Sequence, residues 1–287
     1  MKYLYYPGCT LKTQAKNFEF PALESARLLG IDILEMPKWY CCGTVFSLAS
    51  DDLIHYIAPI RNLTKAKENG YDAVVTLCAM CYNTLKSANS FVNNNRENLN
   101  KINQFMDEEK SYDGTVKVVH FSTLLKELGF ENIKQKIKKP LTTLKISAYY
   151  GCLLVRPKEI AVDEKYESPE ILEELLESLG AEVIDSPYKT ECCGSYQTVY
   201  EKDIVAERAG KIADAAVKRG ADAIAVSCPL CFFNLDSRQK QIPVFYFTQL
   251  LALALGTQYG KCGFELHHIN PVPLLKARRL IPRGSRK

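Results

Sequence analysis

The stretch Glu191-Cys192-Cys193-Gly194 organises this chain, and Cys41-Cys42-Gly43 repeats its motif in the first half. Two adjacent cysteines followed by glycine are a costly local choice. Two polarisable, oxidisable side chains share one loop, and glycine loses more conformational entropy on folding than any other residue. Such a loop is typical of a site that holds a ligand, so the sequence predicts two equivalent sites.

Ten of the eleven cysteines fall into two sets of five thiols. The sets are Cys9, Cys41, Cys42, Cys78 and Cys81 in the first half, and Cys152, Cys192, Cys193, Cys228 and Cys231 in the second. A zinc ion is normally satisfied by four ligands, and a cubane 4Fe-4S cluster also takes four. The fifth thiol therefore favours an iron–sulfur assembly that needs five thiolates, and zinc stays open as an alternative. Cys262, outside both sets, is predicted to be an ordinary thiol.

The last two cysteines of each set form a Cys-x-x-Cys motif at a predicted strand-to-helix turn. Unpaired backbone amides and the helix dipole at such a turn favour anionic sulfur and lower the pKa of a thiol. Amides near Gly43 and Gly194 are expected to donate hydrogen bonds to sulfur and so offset the negative charge of a cluster.

The second half of the chain repeats the first, which is its strongest organisational signal. The run Ala148-Tyr149-Tyr150-Gly151-Cys152 corresponds to Leu4-Tyr5-Tyr6-Pro7-Gly8-Cys9, and residues 223–228 correspond to 73–78. Short β-prone runs alternate with helical spacing in both copies, and the cysteines follow strand ends. The sequence predicts an α/β protein of two homologous, pseudo-symmetric domains, each a small, mostly parallel sheet flanked by helices. The predicted domains are 1–140 and 141–256, and a basic tail covers 257–287.

Length and composition limit the class of protein. The chain has 287 residues, 47% of them hydrophobic, and can bury a large core. It lacks a run of about 20 apolar residues and has no signal-peptide pattern at its N-terminus, so we expect a cytoplasmic protein. Disulfides do not persist in the cytoplasm, which makes metal ligands or redox thiols the better interpretation of the cysteines.

Two classes of partner are not expected. The net charge of +4 is mild, and no basic stripe interleaved with aromatic residues predicts nucleic-acid binding. No glycine-rich phosphate motif follows a predicted strand, so neither a flavin nor a nucleotide is expected on this chain.

The basic tail contains the residues Arg278, Arg279, Arg283, Arg286 and Lys287 and follows a short apolar run at 250–255. Such a tail can dock a partner or lie on an anionic membrane surface. Peripheral contact with the inner face of the membrane, through partners, therefore stays open.

The complete pattern of one cysteine, Cys-Cys-Gly and Cys-x-x-Cys occurs twice and resembles the two-CCG-domain proteins typified by the B subunit of heterodisulfide reductase. The resemblance implies that the ten cysteines hold two noncubane 4Fe-4S clusters, which together reduce a disulfide. In methanogens that disulfide joins coenzyme M to coenzyme B. The resemblance also implies iron–sulfur and flavin partner subunits. Similar subunits occur in quinone-coupled succinate or fumarate reductases, so an electron-relay or membrane-docking role is the alternative function, and a zinc-binding scaffold is the third.

The repeat also suggests a mechanism. A disulfide needs two electrons, whereas an iron–sulfur cluster commonly passes one at a time. Pseudo-symmetric packing is expected to bring both strand-end crevices together, with the disulfide at the domain interface. The predicted catalytic groups are then the two clusters, and no acid–base side chain is assigned.

Overall fold

The computed structural model describes residues 2–44, 53–107 and 109–282. Its strands are β1 (Lys2–Tyr5), β2 (Asp32–Glu35), β3 (Ala73–Thr76), β4 (Lys117–His120), β5 (Lys145–Tyr149), β6 (Glu182–Val183), β7 (Ala223–Val226) and β8 (Val244–Tyr246). Its α-helices are α1 (Cys9–Thr13), α2 (Lys16–Leu29), α3 (Ile54–Glu68), α4 (Ala79–Asn94), α5 (Arg96–Phe105), α6 (Phe121–Leu128), α7 (Phe130–Lys134), α8 (Ile171–Ser178), α9 (Lys202–Lys218), α10 (Pro229–Arg238), α11 (Phe247–Ala254) and α12 (Val272–Ala277).

Each half forms a four-stranded sheet in which every pair of neighbouring strands is parallel. The strand order is β2-β1-β3-β4 in the first half and β6-β5-β7-β8 in the second. This confirms the predicted fold class. The chain winds to one side of β1 and then to the other, and the same reversal occurs at β5. In parallel sheets a crevice opens beyond the carboxyl ends of the strands at such a reversal.

The sequence of the central strands explains their burial. All four residues of β7 are buried, and β3 is buried from Val74 onward. Strands covered by helices on both faces are continuously apolar instead of alternating, and the runs AVVT and AIAV have that character. The rigid centre of each sheet thus ends directly before a Cys-x-x-Cys motif.

Two details differ from the sequence expectations. The spacing of Phe20, Leu23, Ala26 and Leu29 predicts a helix with Phe20 on its apolar face, but Phe20 is 45% exposed, and the buried face of α2 contains Phe18 instead. The polar stretch from about 82 to 110 is predicted to be helical and to bend near Asn93-Asn94-Asn95, and it does divide at Asn95, whose side chain accepts a hydrogen bond from the amide of Glu97 and caps α5. Helix α9 was not predicted, although Val205 and four further residues of it, at helical spacing, are buried.

The two halves pack through pseudo-equivalent helices. Helix α2 packs against α11, and α6 packs against α8. At the first contact the ring of Phe18 stacks on Tyr246 with a centroid distance of 4.2 Å, and Tyr246 stacks on Phe232 at 4.2 Å. Thr248 also donates a hydrogen bond to the carbonyl of Phe18. A buried aromatic stack of this kind contributes strongly to packing, so the two halves share one core.

The segment after residue 256 packs on the second half. Leu275 and Leu280 are buried, and Arg278 forms an ion pair with Asp222. The apolar run at 250–255 belongs to α11 and the residue after it and is also buried. The predicted tail residues Arg283, Arg286 and Lys287 lie outside the described residues. Within the described ranges, no helix is both long enough and apolar enough to cross a bilayer.

Candidate functional site

The cysteines gather at the carboxyl edge of each sheet because each follows a strand in the chain. In the first half, Cys9 begins the short helix after β1, the Cys-Cys-Gly loop follows β2, and Cys78 is the N-cap of α4 after β3. In the second half Cys228 caps α10 in the same way. The carboxyl ends of parallel neighbours lie at one edge, so residues far apart in sequence become neighbours.

The same pair of thiols is in contact in both halves. The Sγ atoms of Cys42 and Cys81 lie 3.6 Å apart, and those of Cys193 and Cys231 lie 3.4 Å apart. These pairs join the second cysteine of the double-cysteine motif to the last cysteine of Cys-x-x-Cys. All eleven cysteines are free thiols in the structure.

Thiolates are favoured at one position of each double-cysteine motif. Hydrogen bonds from Cys41 and Cys81 lower the pKa of Cys42 to about 3. A hydrogen bond from Cys152, assisted by backbone amides, lowers the pKa of Cys192 to about 5. The thiolate is the form of cysteine that binds metals. Each half therefore offers anionic sulfur near neutral pH.

Backbone amides of the glycine loops donate to these sulfurs. The amide of Gly194 lies 3.3 Å from Sγ of Cys192. In the first half the amide of Gly43 hydrogen-bonds the sulfur of Cys41, and the amide of Thr44 hydrogen-bonds that of Cys42. The predicted amide–sulfur hydrogen bonds are confirmed, and they compensate negative charge on the thiolates.

A glycine precedes the first cysteine of each set for a steric reason. A Cβ on Gly8 would lie 2.7 Å from Sγ of Cys81, and one on Gly151 would lie 3.0 Å from Sγ of Cys231. Both glycines also have positive φ, 72° and 68°. A side chain here would be strained and would displace the thiol. The backbone is thus shaped so that it approaches sulfur closely in both halves.

A tyrosine anchors each double-cysteine loop. The hydroxyl of Tyr6 donates to the carbonyl of Tyr40 at 2.7 Å, and that of Tyr149 donates to the carbonyl of Glu191 at 2.6 Å. Each acceptor immediately precedes the two cysteines. Tyr149 is buried in the core, and the sequence analysis did not predict this bond. The available signal was a tyrosine three residues before the first cysteine in both copies.

Side chains three residues after each Cys-x-x-Cys also reach sulfur. Asn234 is fully buried, and its Nδ2 lies 3.6 Å from Sγ of Cys193, while its Oδ1 accepts a hydrogen bond from Thr198. The hydroxyl of the pseudo-equivalent Thr84 contributes to the lowered pKa of Cys42, although it donates its hydrogen bond of 2.9 Å to the carbonyl of Met80. Sequence analysis did not single out either residue. An amide or hydroxyl that donates to a ligand sulfur orients it and tunes its charge.

The two thiol sets meet across the domain interface. The thiol of Cys228 interacts with that of Cys78 and raises the pKa of Cys78 well above the ordinary range. Hydrogen bonds from Cys231 and then from Cys78 lower the pKa of Cys228. Both residues are buried. The first cysteine of each Cys-x-x-Cys therefore lies against its counterpart.

The first cysteine of each set and the first cysteine of each Cys-Cys-Gly motif are more accessible to solvent than the other ligands. Cys9 and Cys41 are exposed, whereas Cys152 and Cys192 are half-buried. Cys262 lies apart from both sets, and its pKa is raised to about 12 because it is buried. A buried thiol with a raised pKa is a poor metal ligand, which agrees with its sequence interpretation.

A metal ion and a metal cluster make different demands on these residues. Within residues 2–44, 53–107 and 109–282, no group of three or more His, Cys, Asp or Glu side chains is arranged to hold a metal ion. A cluster distributes its thiolates over several irons, so its ligands need not converge on one point. The thiols present here fit such a cluster for three reasons. Cys42 and Cys192 have a lowered pKa and favour the thiolate, backbone amides donate hydrogen bonds to sulfur, and glycines leave room for the backbone beside the sulfurs.

The arrangement defines a class of protein. The CCG cysteine-rich domain matches residues 3–86 and again 146–236, and the chain belongs to this family with two copies of the domain. Family membership supports an iron–sulfur role in electron transfer and confirms the resemblance drawn from the cysteine pattern.

Similar proteins are components of reductases. A protein of Archaeoglobus profundus, named as similar to the B subunit of heterodisulfide reductase, is 30% identical over 279 residues, covering 89% of this chain and 91% of that protein. The B subunit of the ferredoxin/F(420)H(2)-dependent CoB-CoM heterodisulfide reductase of Methanosarcina acetivorans is 29% identical and covers 98% of both chains. The 8-methylmenaquinol:fumarate reductase membrane anchor subunit of Wolinella succinogenes is 29% identical, covering 95% of this chain and 99% of that protein.

A solved structure supports the fold alone. The crystal structure of a hypothetical protein from Helicobacter pylori superposes with a TM-score of 0.68 at 13% identity, covering 93% of this chain. The chain spans about half of that protein, 51% of its length.

Proposed function

We propose that this chain is the iron–sulfur subunit that reduces a disulfide in a multi-subunit reductase of the heterodisulfide type. The observation that carries the proposal is the equivalent thiol contact in each half, Cys42 with Cys81 at 3.6 Å and Cys193 with Cys231 at 3.4 Å, in two halves that share one core. The similarity to heterodisulfide reductase B subunits over nearly the whole chain supports the same reaction class.

Two noncubane 4Fe-4S clusters are the proposed cofactors, and we assign them ten ligands. The first cluster is assigned to Cys9, Cys41, Cys42, Cys78 and Cys81, and the second to Cys152, Cys192, Cys193, Cys228 and Cys231. When bound, each cluster supplies one electron at a time. No flavin or nucleotide is proposed on this chain.

The protein residues position the sulfurs for this chemistry. Tyr6 and Tyr149 pin the two loops to their sheets, and the buried Asn234 orients the sulfur of Cys193. The disulfide accepts two electrons and, with two protons from solvent, leaves as two thiols. Because the two thiol sets adjoin, we place the disulfide at the domain interface, where both electrons reach one substrate molecule.

The electrons are proposed to come from partner subunits that carry iron–sulfur clusters and flavin. Two relatives that match nearly the whole chain are named as subunits of reductases, which supports such partners. The proposed cysteine-rich domains are 1–140 and 141–256, followed by a basic tail at 257–287. The proposed location is cytoplasmic, with peripheral contact to the inner face of the membrane made through partners.

A second candidate function is that of an electron-relay or docking subunit in a fumarate reductase. The observation that favours it is the similarity to the membrane anchor subunit of Wolinella succinogenes, which extends over 99% of that protein. In this case quinone chemistry would occur in the assembled complex, and this chain would transfer electrons without reducing a disulfide.

A viologen assay separates the two candidates. Anaerobically purified protein should oxidise reduced viologen only when a disulfide is added, with one disulfide consumed for every two viologens. The relay function predicts instead no disulfide-dependent oxidation by the isolated chain and quinone-dependent turnover by the assembled complex. That result would replace our proposal.

The hydrogen bond from Asn234 to Cys193 leads to a separate prediction. The Asn234→Leu variant removes a donor that stabilises negative sulfur, and the reduced cluster carries more negative charge. We expect the midpoint potential of the second cluster to fall by on the order of 40 mV, the one-electron equivalent of about 1 kcal/mol. A redox titration followed by paramagnetic resonance measures this shift.

Thr198→Val is the matched control for that titration. It removes the hydrogen bond to Oδ1 of Asn234 but leaves the amide nitrogen beside sulfur. The midpoint potential should therefore stay close to that of the unmodified protein. Equal shifts in both variants would mean that disturbed packing around Asn234, and not the loss of the hydrogen bond to sulfur, changes the midpoint potential.

A further inference from the structure

The two Cys-Cys-Gly loops differ in the side chain that the neighbouring helix presents to them. In the second half, Nε of Arg208 on α9 donates a hydrogen bond of 2.7 Å to the carbonyl of Cys192. A Cβ on Gly194 would lie 3.7 Å from Cδ of the same arginine. Arg208 thus lies directly against the second Cys-Cys-Gly loop and carries a positive charge there.

Ala58 occupies the corresponding position in the first half. A Cβ on Gly43 would lie 3.7 Å from Cβ of Ala58, which belongs to α3. Ala58 precedes the strand residue Ala73 by the same number of positions as Arg208 precedes Ala223. Alanine has neither a charge nor a side-chain donor. The two halves match in their ten cysteines but differ in charge at this position.

The charge of Arg208 acts on a sulfur of the second set. A hydrogen bond from Cys152 is the main cause of the lowered pKa of Cys192, and the positive charge of Arg208 adds to it. In the first half, the pKa of Cys42 is lowered chiefly by hydrogen bonds from the thiols of Cys41 and Cys81, which are neutral donors. A nearby cation favours the thiolate by direct Coulomb attraction. The second set therefore has an electrostatic contribution at a position where the first set has an alanine.

An ion pair limits the size of this contribution. Oε2 of Glu191 lies 3.3 Å from Nη2 of Arg208, and the two side chains are 50% and 40% exposed. The carboxylate and the surrounding water both reduce the field of the guanidinium at the sulfur. Arg208 contacts Glu191 through Nη2 and the loop through Nε, so the ion pair leaves the contact with Cys192 in place.

Charge beside a ligand sulfur affects reduction. An added electron makes an iron–sulfur centre more negative, so a neighbouring cation stabilises the reduced form and raises the midpoint potential. We propose that Arg208 is a positioning residue that holds the second Cys-Cys-Gly loop and raises the midpoint potential of the cluster assigned to that half above that of the first. The inference rests on the two clusters of the proposed function. The first electron to enter the chain accordingly resides in the second half.

The test is a redox titration of the anaerobically purified, iron-loaded chain, followed by paramagnetic resonance. Arg208→Gln removes the charge and should lower the higher midpoint potential while the lower one stays unchanged. We expect the reduction equilibrium to change about fivefold, which is ~40 mV because a one-electron couple changes by about 59 mV per tenfold. Arg208→Lys keeps the charge and should retain most of the higher potential.

Two further variants predict shifts in the opposite direction. Glu191→Gln removes the carboxylate that offsets Arg208 and should raise the higher midpoint potential. Ala58→Arg places a cation beside the first Cys-Cys-Gly loop and should raise the lower midpoint potential. Disturbed packing of the second loop would instead move the potential in one direction in both Arg208→Gln and Glu191→Gln. Lys218→Gln, at the C-terminal end of α9, is the control and should change neither potential.

Unchanged potentials in Arg208→Gln, or equal falls in Arg208→Gln and Arg208→Lys, overturn the inference. If Arg208→Gln loses iron, the other two variants decide. Rises in both Glu191→Gln and Ala58→Arg then support the inference, and the absence of either rise overturns it.

The titration needs no disulfide, which separates this inference from the proposed function. The predicted shifts in a chain without disulfide-dependent turnover would support the role of Arg208 and count against disulfide reduction. Unshifted potentials in a chain with normal turnover would overturn the role of Arg208 alone.

Discussion

The Cys81→Ser and Cys231→Ser variants should each lower disulfide turnover with reduced viologen by more than about 100-fold. Substitutions of residues that merely support metal ligands already cost about 10–100-fold, and these two thiols are assigned as ligands themselves. Each is buried and in contact with the second cysteine of its double-cysteine motif. The loss should occur in either variant because the proposed reaction needs both thiol sets.

Cys262→Ser is the matched control for these variants. It replaces a buried cysteine outside both sets, and a serine hydroxyl can hydrogen-bond the nearby carbonyl of Gln258. Iron content and turnover should both stay near those of the unmodified protein. If either Cys81→Ser or Cys231→Ser instead retains near-normal turnover, reduction by two clusters acting together is wrong.

The Phe18→Ala variant should lower the free energy of unfolding by about 3–5 kcal/mol, the usual cost of truncating a buried phenylalanine. Phe18 is fully buried and stacks on Tyr246 of the other half at a centroid distance of 4.2 Å. Its removal leaves a cavity where α2 packs against α11. Anaerobic denaturant unfolding, followed by circular dichroism, measures the change.

Phe20→Ala, on the same helix, provides the comparison for this measurement. Phe20 is 45% exposed, so its truncation should change the free energy of unfolding by about 0.5 kcal/mol or less. Similar effects of the two substitutions would show that the Phe18 stack does not join the halves. A separate unfolding transition for each half in the unmodified protein would lead to the same conclusion.

The fold could be predicted because the same order of strands and helices occurs twice in the sequence. Two copies of strand, helix and strand, with apolar runs at Val74 and Ile224, predict two mostly parallel sheets, and the structure has both. Helix α9 was not predicted because its buried positions are mostly alanines, such as Ala209 and Ala213, which give a weak apolar pattern. The buried face of α2 was misjudged because Phe18 and Phe20 differ by two positions and only packing against α11 selects one of them.

The sequence predicts the sulfurs of the candidate site but not the groups that support them. Cysteine spacing predicts both sets, and the structure places Cys42 against Cys81 and Cys193 against Cys231, one contact within each set. The bonds from Tyr149 to Glu191 and from Asn234 to Cys193 depend on loop conformations that no local pattern encodes. Likewise, the sequence suggested that the two crevices meet, but the contact between Cys78 and Cys228 required the packed domains.

The most direct test of the account is the metal and sulfide content of the anaerobically purified chain. Two four-iron clusters, one for each set of five thiols, predict about eight irons and about eight acid-labile sulfides per chain and no stoichiometric zinc. The preparation should be brown, and the Cys81→Ser and Cys231→Ser variants should each retain about half of the iron. Stoichiometric zinc without acid-labile sulfide, even after anaerobic reconstitution with iron and sulfide, would contradict the account at its centre.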